Sequence, residues 1–189
     1  AGDNAAVPSP YDFALGGKGL DPSLPGGVSG TLLQAGQCFM VDMGGNFYGY
    51  MGDMSRVFSI GRLPEQAYTA HQTCIEIQEE IAAMAKPGTV CEDMYNKAIE
   101  IVTKAGFADY FMGVDQKAKF IGHGIGLEIN EMPVLAPRMK QELEPGLVFA
   151  LEPKIVLPGI GPVGIENSWA VTTDGLEKLT LCKEEIIEL

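Results

Sequence analysis

The feature that most constrains this chain is a pair of acid pairs, each wrapped around a turn. Asp42 and Asp53 flank the stretch from Gly44-Gly45-Asn46 to Gly49. Glu152 and Glu166 flank Pro158-Gly159-Ile160-Gly161. Each stretch reads as a hairpin, which sets each acid directly across two antiparallel strands from its mate. Cross-strand partners have Cβ atoms about 4.5–5.5 Å apart, and like charges there destabilise a sheet. Two such pairs in one small domain call for a cation between them. His123, in Gly122-His123-Gly124, adds a fifth candidate ligand.

The 189 residues are 46% hydrophobic and 20% charged, the composition of one ordinary globular domain. The net charge of −12 argues against nucleic acid as a partner, which needs a basic surface. It suits solubility, and equally a set of acids neutralised by bound metal. No stretch approaches the roughly 20 apolar residues of a membrane span. The N-terminal residues are too polar for a signal peptide. The chain starts at Ala1 and not at Met, so a fragment or processed product of something longer is expected. Cys38, Cys74, Cys91 and Cys182 form no C-x-x-C motif, and three fall in apolar patterns. They read as reduced thiols of a cytoplasmic protein.

Residues 1–30, rich in Gly, Pro, Ser and Asp, read as an irregular N-terminal segment, the truncated start of the domain. Residues 31–189 read as its main body. Gln37 to Gly44 and Gly52 to Gly61 read as strands of the first hairpin. Pro64 opens a helix whose apolar residues Ala67, Ala70, Cys74, Ile77, Ile81 and Met84 recur at helical spacing up to Pro87-Gly88. Thr89 or Cys91 opens a second helix, closed by Gly106. The glycines alternating around His123 imply close backbone approach. Pro133, Pro137 and Pro145 punctuate a loop. Leu147 to Leu151 and Val163 to Thr172 read as strands, the second carrying Glu166, and Gly175 to Leu181 as a final turn and strand. Without a βαβ rhythm, the class is α+β with an antiparallel sheet.

The five candidates carry four negative charges, which two divalent cations would balance, as a partly buried site requires. Oxygen-rich coordination with one imidazole suits Mn²⁺, Fe²⁺, Co²⁺ or Zn²⁺. Two such ions about 3.5–4 Å apart share a water, lower its pKa and polarise a carbonyl. The competing reading is four unrelated acids near turns and a structural histidine. His71, three residues before Cys74, reads as a helix-surface or half-buried histidine. Gln78-Glu79-Glu80 reads as a solvated helix face, and Lys183-Glu184-Glu185 as surface charge. Phe47, Tyr48 and Tyr50 suit either a pocket wall or a hairpin tip.

These residues also carry a resemblance. The segment V-D-M-G-G-N-F-Y-G-Y-M-G-D-M-S-R-V-F-S-I-G resembles the stretch of the pita-bread metallopeptidases that supplies two aspartate ligands. That family includes methionine aminopeptidase, the Xaa-Pro aminopeptidases, prolidase and creatinase. G-H-G-I-G-L-E-I-N-E-M-P is similar to its histidine motif, and A-L-E-P and G-I-E-N-S-W-A-V-T to its two glutamate segments. The likeness runs from about Leu32 to Thr180 and is nearest the Xaa-Pro aminopeptidase and prolidase branch. It implies a curved antiparallel sheet with helices on its outer face. It also implies Asp42, Asp53, His123, Glu152 and Glu166 as ligands of two divalent ions, with Mn²⁺ foremost and Co²⁺, Zn²⁺ or Fe²⁺ as alternatives. Asp53 and Glu166 would contact both ions, and Glu152 would also shuttle the catalytic proton. The implied substrate is a peptide, cleaved to release an N-terminal residue or to split a dipeptide, and the full-length protein would be a homodimer.

Three departures accompany the likeness. Asn130 stands where a histidine is usual, and is the candidate substrate-binding residue through its amide donor. Asp21-Pro22-Ser23 lacks a second helper histidine, and Gly164 replaces an arginine. The alternative function is therefore a metal-binding domain of this fold with weak or no peptidase activity.

Overall fold

The computed structural model describes residues 30–189 together with Gly2 and Ala5. The irregular reading of the N-terminal segment, and Asp21-Pro22-Ser23 within it, otherwise lies outside the described residues. The first hairpin is built from β1 (Cys38–Phe47) and β2 (Tyr50–Ser59). Its two-residue turn, Tyr48-Gly49, has φ of 52° and 88°. Positive φ at both positions matches the twist of the flanking strands. The Asn46 side-chain oxygen accepts the Gly49 N–H at 3.2 Å and closes the turn.

That turn corrects the expected register. It lies one residue beyond the midpoint between the two aspartates, so Asp42 pairs with Ser55 and Asp53 with Gly44. The two acids are diagonal neighbours on one face and not directly opposed. The hairpin itself, and the shared face of Asp42 and Asp53, stand as expected.

Helix α1 (Glu65–Met84) follows Pro64, which acts as its cap residue. Ala67, Ala70, Cys74, Ile77 and Ile81 are completely buried along one stripe. Helix α2 (Cys91–Lys104) carries Glu92 and Asp93 in its first turn and Lys104 in its last, matching the helix dipole. Gly106, with φ of 82°, closes it. The two helices pack on each other, and α1 also crosses β6 (Lys154–Leu157) and β7 (Gly161–Gly164).

The remaining strands are β3 (Gly122–Gly124), β4 (Glu131–Val134), β5 (Val148–Leu151), β8 (Asn167–Val171), β9 (Leu176–Lys178) and β10 (Ile187–Glu188). Among the described residues, one sheet runs β4-β3-β5-β8-β9 and is antiparallel throughout. A second runs β1-β2-β10, with β10 parallel to β2. Strands β6 and β7 pair separately. The expected strand Val163 to Thr172 is thus two strands, interrupted at Ile165-Glu166. The loop expected around Pro133 contains β4. No described helix is long and apolar enough to cross a membrane.

Two buried polar residues bind the C-terminal segment to this frame. Arg56 donates to the carbonyls of Ser55 (2.7 Å), Glu166 (2.9 Å) and Lys183 (2.7 Å), and to the Asn167 side-chain oxygen (2.9 Å). His71 is buried, not on the helix surface. Its Nδ1 accepts the Gly164 N–H at 3.3 Å, and its Nε2 donates to the Glu184 carbonyl at 2.7 Å. Burial lowers its pKa and favours this neutral form. Glu184 is half-buried and accepts from Asn167 (2.9 Å) and Lys178 (2.6 Å), so it is more than surface charge. Cys38, Cys74 and Cys91 are buried free thiols, and Cys182 is exposed and free.

The glycines of β3 are steric requirements. A Cβ on Gly122 would lie 2.3 Å from the Ala150 carbonyl oxygen, and one on Gly124 would lie 2.4 Å from that of Met132. Gly122→Ala is expected to cost about 1–3 kcal/mol through overpacking, read from urea unfolding. An unchanged midpoint would count against this close approach.

Candidate metal centre

His123 occupies the middle of β3, between strands β4 and β5. Its Nδ1 lies 3.1 Å from the Gly124 carbonyl oxygen, which can only accept, so Nδ1 carries the proton. That contact fixes the ring and turns Nε2 towards the acids. Glu152 Oε1 lies 3.5 Å from it, Asp53 Oδ2 3.9 Å and Glu166 Oε1 4.0 Å.

The two glutamates occupy a break in one long hairpin. Leu151 pairs with Asn167 on one side of the break and Lys154 with Gly164 on the other, in a common register. Glu152 and Glu166 therefore face each other across it, as the sequence suggests. Pro153 lacks the N–H that a continuous ladder would need. Gln78, fully interior on α1, fills the gap. Its amide donates to the carbonyls of Leu151 (2.8 Å) and Ile165 (3.1 Å), the residues just before the two glutamates. Its oxygen accepts from Asn167 (2.8 Å) and Trp169 (3.2 Å). The solvated face expected at Gln78-Glu79-Glu80 therefore begins only at Glu79. Gln78 lies on the same stripe as Ile77, Ile81 and Cys74, and that placement is the signal for it.

The break frees Glu166 to bridge to Ser55 of β2. The Ser55 hydroxyl donates to Glu166 Oε2 at 2.5 Å. This contact joins the two sheets at the site and brings Asp53, two residues earlier on the same face, to His123. Asp53, His123 and Glu166 each present a ligand atom within 4.8 Å of the others. Glu152 joins them through its contact with His123. Asp42 is further out, with a side chain 57% exposed.

Lys154 is the residue that the sequence reading misses. Its side chain is 2% exposed, and its ammonium lies 2.6 Å from Glu152 Oε2, 3.5 Å from Asp42 Oδ2 and 3.6 Å from Glu166 Oε2. Lysine in the otherwise apolar run Lys154-Ile155-Val156-Leu157, two residues after Glu152, is the signal that marks it. Gly164, where the resemblance leads one to expect arginine, is its cross-strand partner.

Burial first, and then the charges of Glu166, Asp42 and Glu152, push the Asp53 carboxyl up to about 7 against the opposing pull of Lys154. Burial likewise raises Glu166, with Lys154 opposing. Burial alone would lower Lys154, but Glu152, Glu166 and Asp42 outweigh it and hold the ammonium well above its ordinary value. One buried oxygen, Asp53 Oδ1, has no hydrogen-bond partner among the described residues. An orphaned carboxylate oxygen beside an imidazole nitrogen and two further carboxylates fits a divalent cation. Asn130 is exposed and immediately precedes β4.

Two outcomes follow from this geometry. Gln78→Leu strands the Leu151 and Ile165 carbonyls and is expected to cost roughly 1–3 kcal/mol in urea unfolding. It should also weaken Mn²⁺ binding, because both glutamates lose their anchor. The raised Asp53 means that the folded chain holds this proton more tightly than the unfolded chain, whose aspartates titrate near about 3.9. Its contribution is present at low pH and is lost as pH rises through about 7. In the metal-free chain, melting temperature relative to Asp53→Asn should therefore fall between about pH 4.5 and pH 7.5. A difference that rises with pH would refute this.

The metallopeptidase family M24 model matches residues 2–173. The Xaa-Pro dipeptidase of Pyrococcus furiosus is 30% identical over 185 residues, covering 97% of this chain and 51% of that protein. YqhT of Bacillus subtilis, an uncharacterised peptidase, is 33% identical over 182 residues, covering 96% of this chain and 50% of that protein. The crystal structure of a dipeptidase from Pyrococcus horikoshii OT3 superposes with a TM-score of 0.80 at 29% identity, covering 100% of this chain and 47% of that one. The chain spans about half the length of the curated relatives it matches. Its mixed sheets and two packed helices are the pita-bread architecture that the resemblance implies. With its matched segment taking in all five candidate ligands, the chain belongs to metallopeptidase family M24 and groups with Xaa-Pro dipeptidase relatives.

Proposed function

We propose that this chain supplies the metal-binding catalytic part of a hydrolase that cleaves the amide bond of Xaa-Pro dipeptides or releases an N-terminal residue. The observation that carries this reading is the orphaned Asp53 Oδ1, buried beside His123 and two glutamates. The substrate class rests on the relatives named as Xaa-Pro dipeptidases. Asp42, Asp53, His123, Glu152 and Glu166 are the proposed ligand set, with Mn²⁺ as the expected ion. When bound there, a divalent cation supplies Lewis-acid polarisation of a carbonyl and acidifies water.

The protein groups divide the remaining work. Glu152 Oε2 is anchored by Lys154, while Oε1 faces His123 across 3.5 Å. In this reading that oxygen takes a proton from the attacking water and returns it to the leaving amine. The Gly124 carbonyl holds the His123 ring through Nδ1, so that Nε2 faces the acids. Asn130 offers an amide donor to a substrate carbonyl or developing oxyanion. The Met51 N–H donates to the Gly126 carbonyl at 2.7 Å, tying the first hairpin to the loop that carries Leu127 and Asn130. Phe47, Tyr48, Tyr50 and Leu127 are exposed apolar side chains that a proline ring packs against in this reading. Buried free thiols suit a reducing, cytoplasmic setting.

Glu152→Gln is expected to cut hydrolysis of an Xaa-Pro dipeptide panel on the order of 10²–10⁴-fold while the melting temperature stays near that of the unaltered chain. Unchanged turnover in that variant would remove Glu152 from the mechanism. Stoichiometric metal with no hydrolysis by the unaltered chain would favour the binding-domain alternative.

A further inference from the structure

The site has two sides, and each glutamate divides its oxygens between them. On the His123 side lie Glu152 Oε1, Glu166 Oε1 and Asp53 Oδ2. On the other side, Glu152 Oε2, Glu166 Oε2 and Asp42 Oδ2 surround a single ammonium group, that of Lys154. The ammonium donates to Glu152 Oε2 at 2.6 Å, and the carboxylates of Asp42 and Glu166 pair with its charge at 3.5 and 3.6 Å. We propose that Lys154 stands in the place of a second metal ion, so that this chain holds one divalent cation, on the His123 side. The proposal rests on the metal-dependent reading above and specifies its ion count, against the two ions that the ligand set suggests.

Three observations support it. The lysine is built in: its stem lies along β6 opposite Gly164, where a Cβ would come within 2.8 Å of Lys154 Cα and 3.2 Å of Cγ. A glycine at that position leaves the lysine its path. The charges also suit one ion. One dication and one ammonium leave a single net negative charge among the four carboxylates, and Asp42, the most exposed of them, can keep it in water. A second dication bound to the same three oxygens would lie against the ammonium, and two cations at contact distance repel strongly in a buried site. The orphaned Asp53 Oδ1 completes the asymmetry, since among the described residues Lys154 pairs with Asp42, Glu152 and Glu166 but not with Asp53, whose free oxygen is left for the ion beside His123.

The test is a metal count on the whole chain loaded with Mn²⁺ and freed of excess ion. Plasma mass spectrometry should find one Mn per chain, and electron paramagnetic resonance should show an isolated ion. K154M, which keeps bulk and removes charge, should bind two Mn per chain and show an exchange-coupled pair. Two tightly held ions in the unaltered chain, or a coupled spectrum from it, would overturn the proposal while leaving metal dependence intact. A single ion in folded K154M would also overturn it. If K154M does not fold, the count and spectrum of the unaltered chain decide alone. No tightly held Mn in the unaltered chain would overturn both this proposal and the metal-dependent reading.

Discussion

Gathering three buried carboxylates around one imidazole, with a fourth just beyond them, is the constraint on which the other features of this structure depend. Carboxylates resist burial together, and Asp53 and Glu166 show it in their raised proton affinity. Each supporting feature answers that repulsion. The break at Glu152-Pro153 turns both glutamates out of the ladder. Gln78 satisfies the carbonyls that the break exposes. Ser55 donates to Glu166, and Lys154 places a positive charge among three of the acids.

The same constraint explains why the site is spread over three separate pieces of sheet. No single strand could carry four acids on one face without severe repulsion along its length. Here β2, β3 and the broken hairpin each bring one or two groups, and the Ser55–Glu166 bridge sets the distance between them. Helix α1 stabilises the arrangement from behind, through Gln78 at the break and His71 at Gly164.

Much of this was legible in the residues. The two helices, the first hairpin and the close approach at the β3 glycines follow local rules of periodicity, turn chemistry and glycine placement, whereas the meeting of Asp53, His123, Glu152 and Glu166 is expected from their joint charge pattern and the family resemblance. The misplaced features depend on information that local rules do not carry. The first register is off because Tyr48 adopts positive φ, which nothing in its side chain announces. Gln78 reads as solvated because polarity is a poor guide to burial when a backbone gap needs an amide. Lys154 escapes notice because its partners are assembled only by tertiary folding: Asp42 lies more than a hundred residues earlier, on the other sheet.

The Arg56 contacts have a consequence for the order in which the molecule can be made. Its guanidinium is buried against the Glu166, Cys182 and Lys183 carbonyls, and β2 is flanked by β10 at residues 187–188. Residues 50–59 leave the ribosome long before those partners exist. The strand that carries Asp53 must therefore wait, with an unpaired edge and an unneutralised arginine, until residues 182–188 emerge. Non-local pairing of this kind slows folding and exposes unpaired edges meanwhile. Assembly of the first sheet is thus tied to the synthesis of residues 182–188, and a chain interrupted before them would lack the means to finish it.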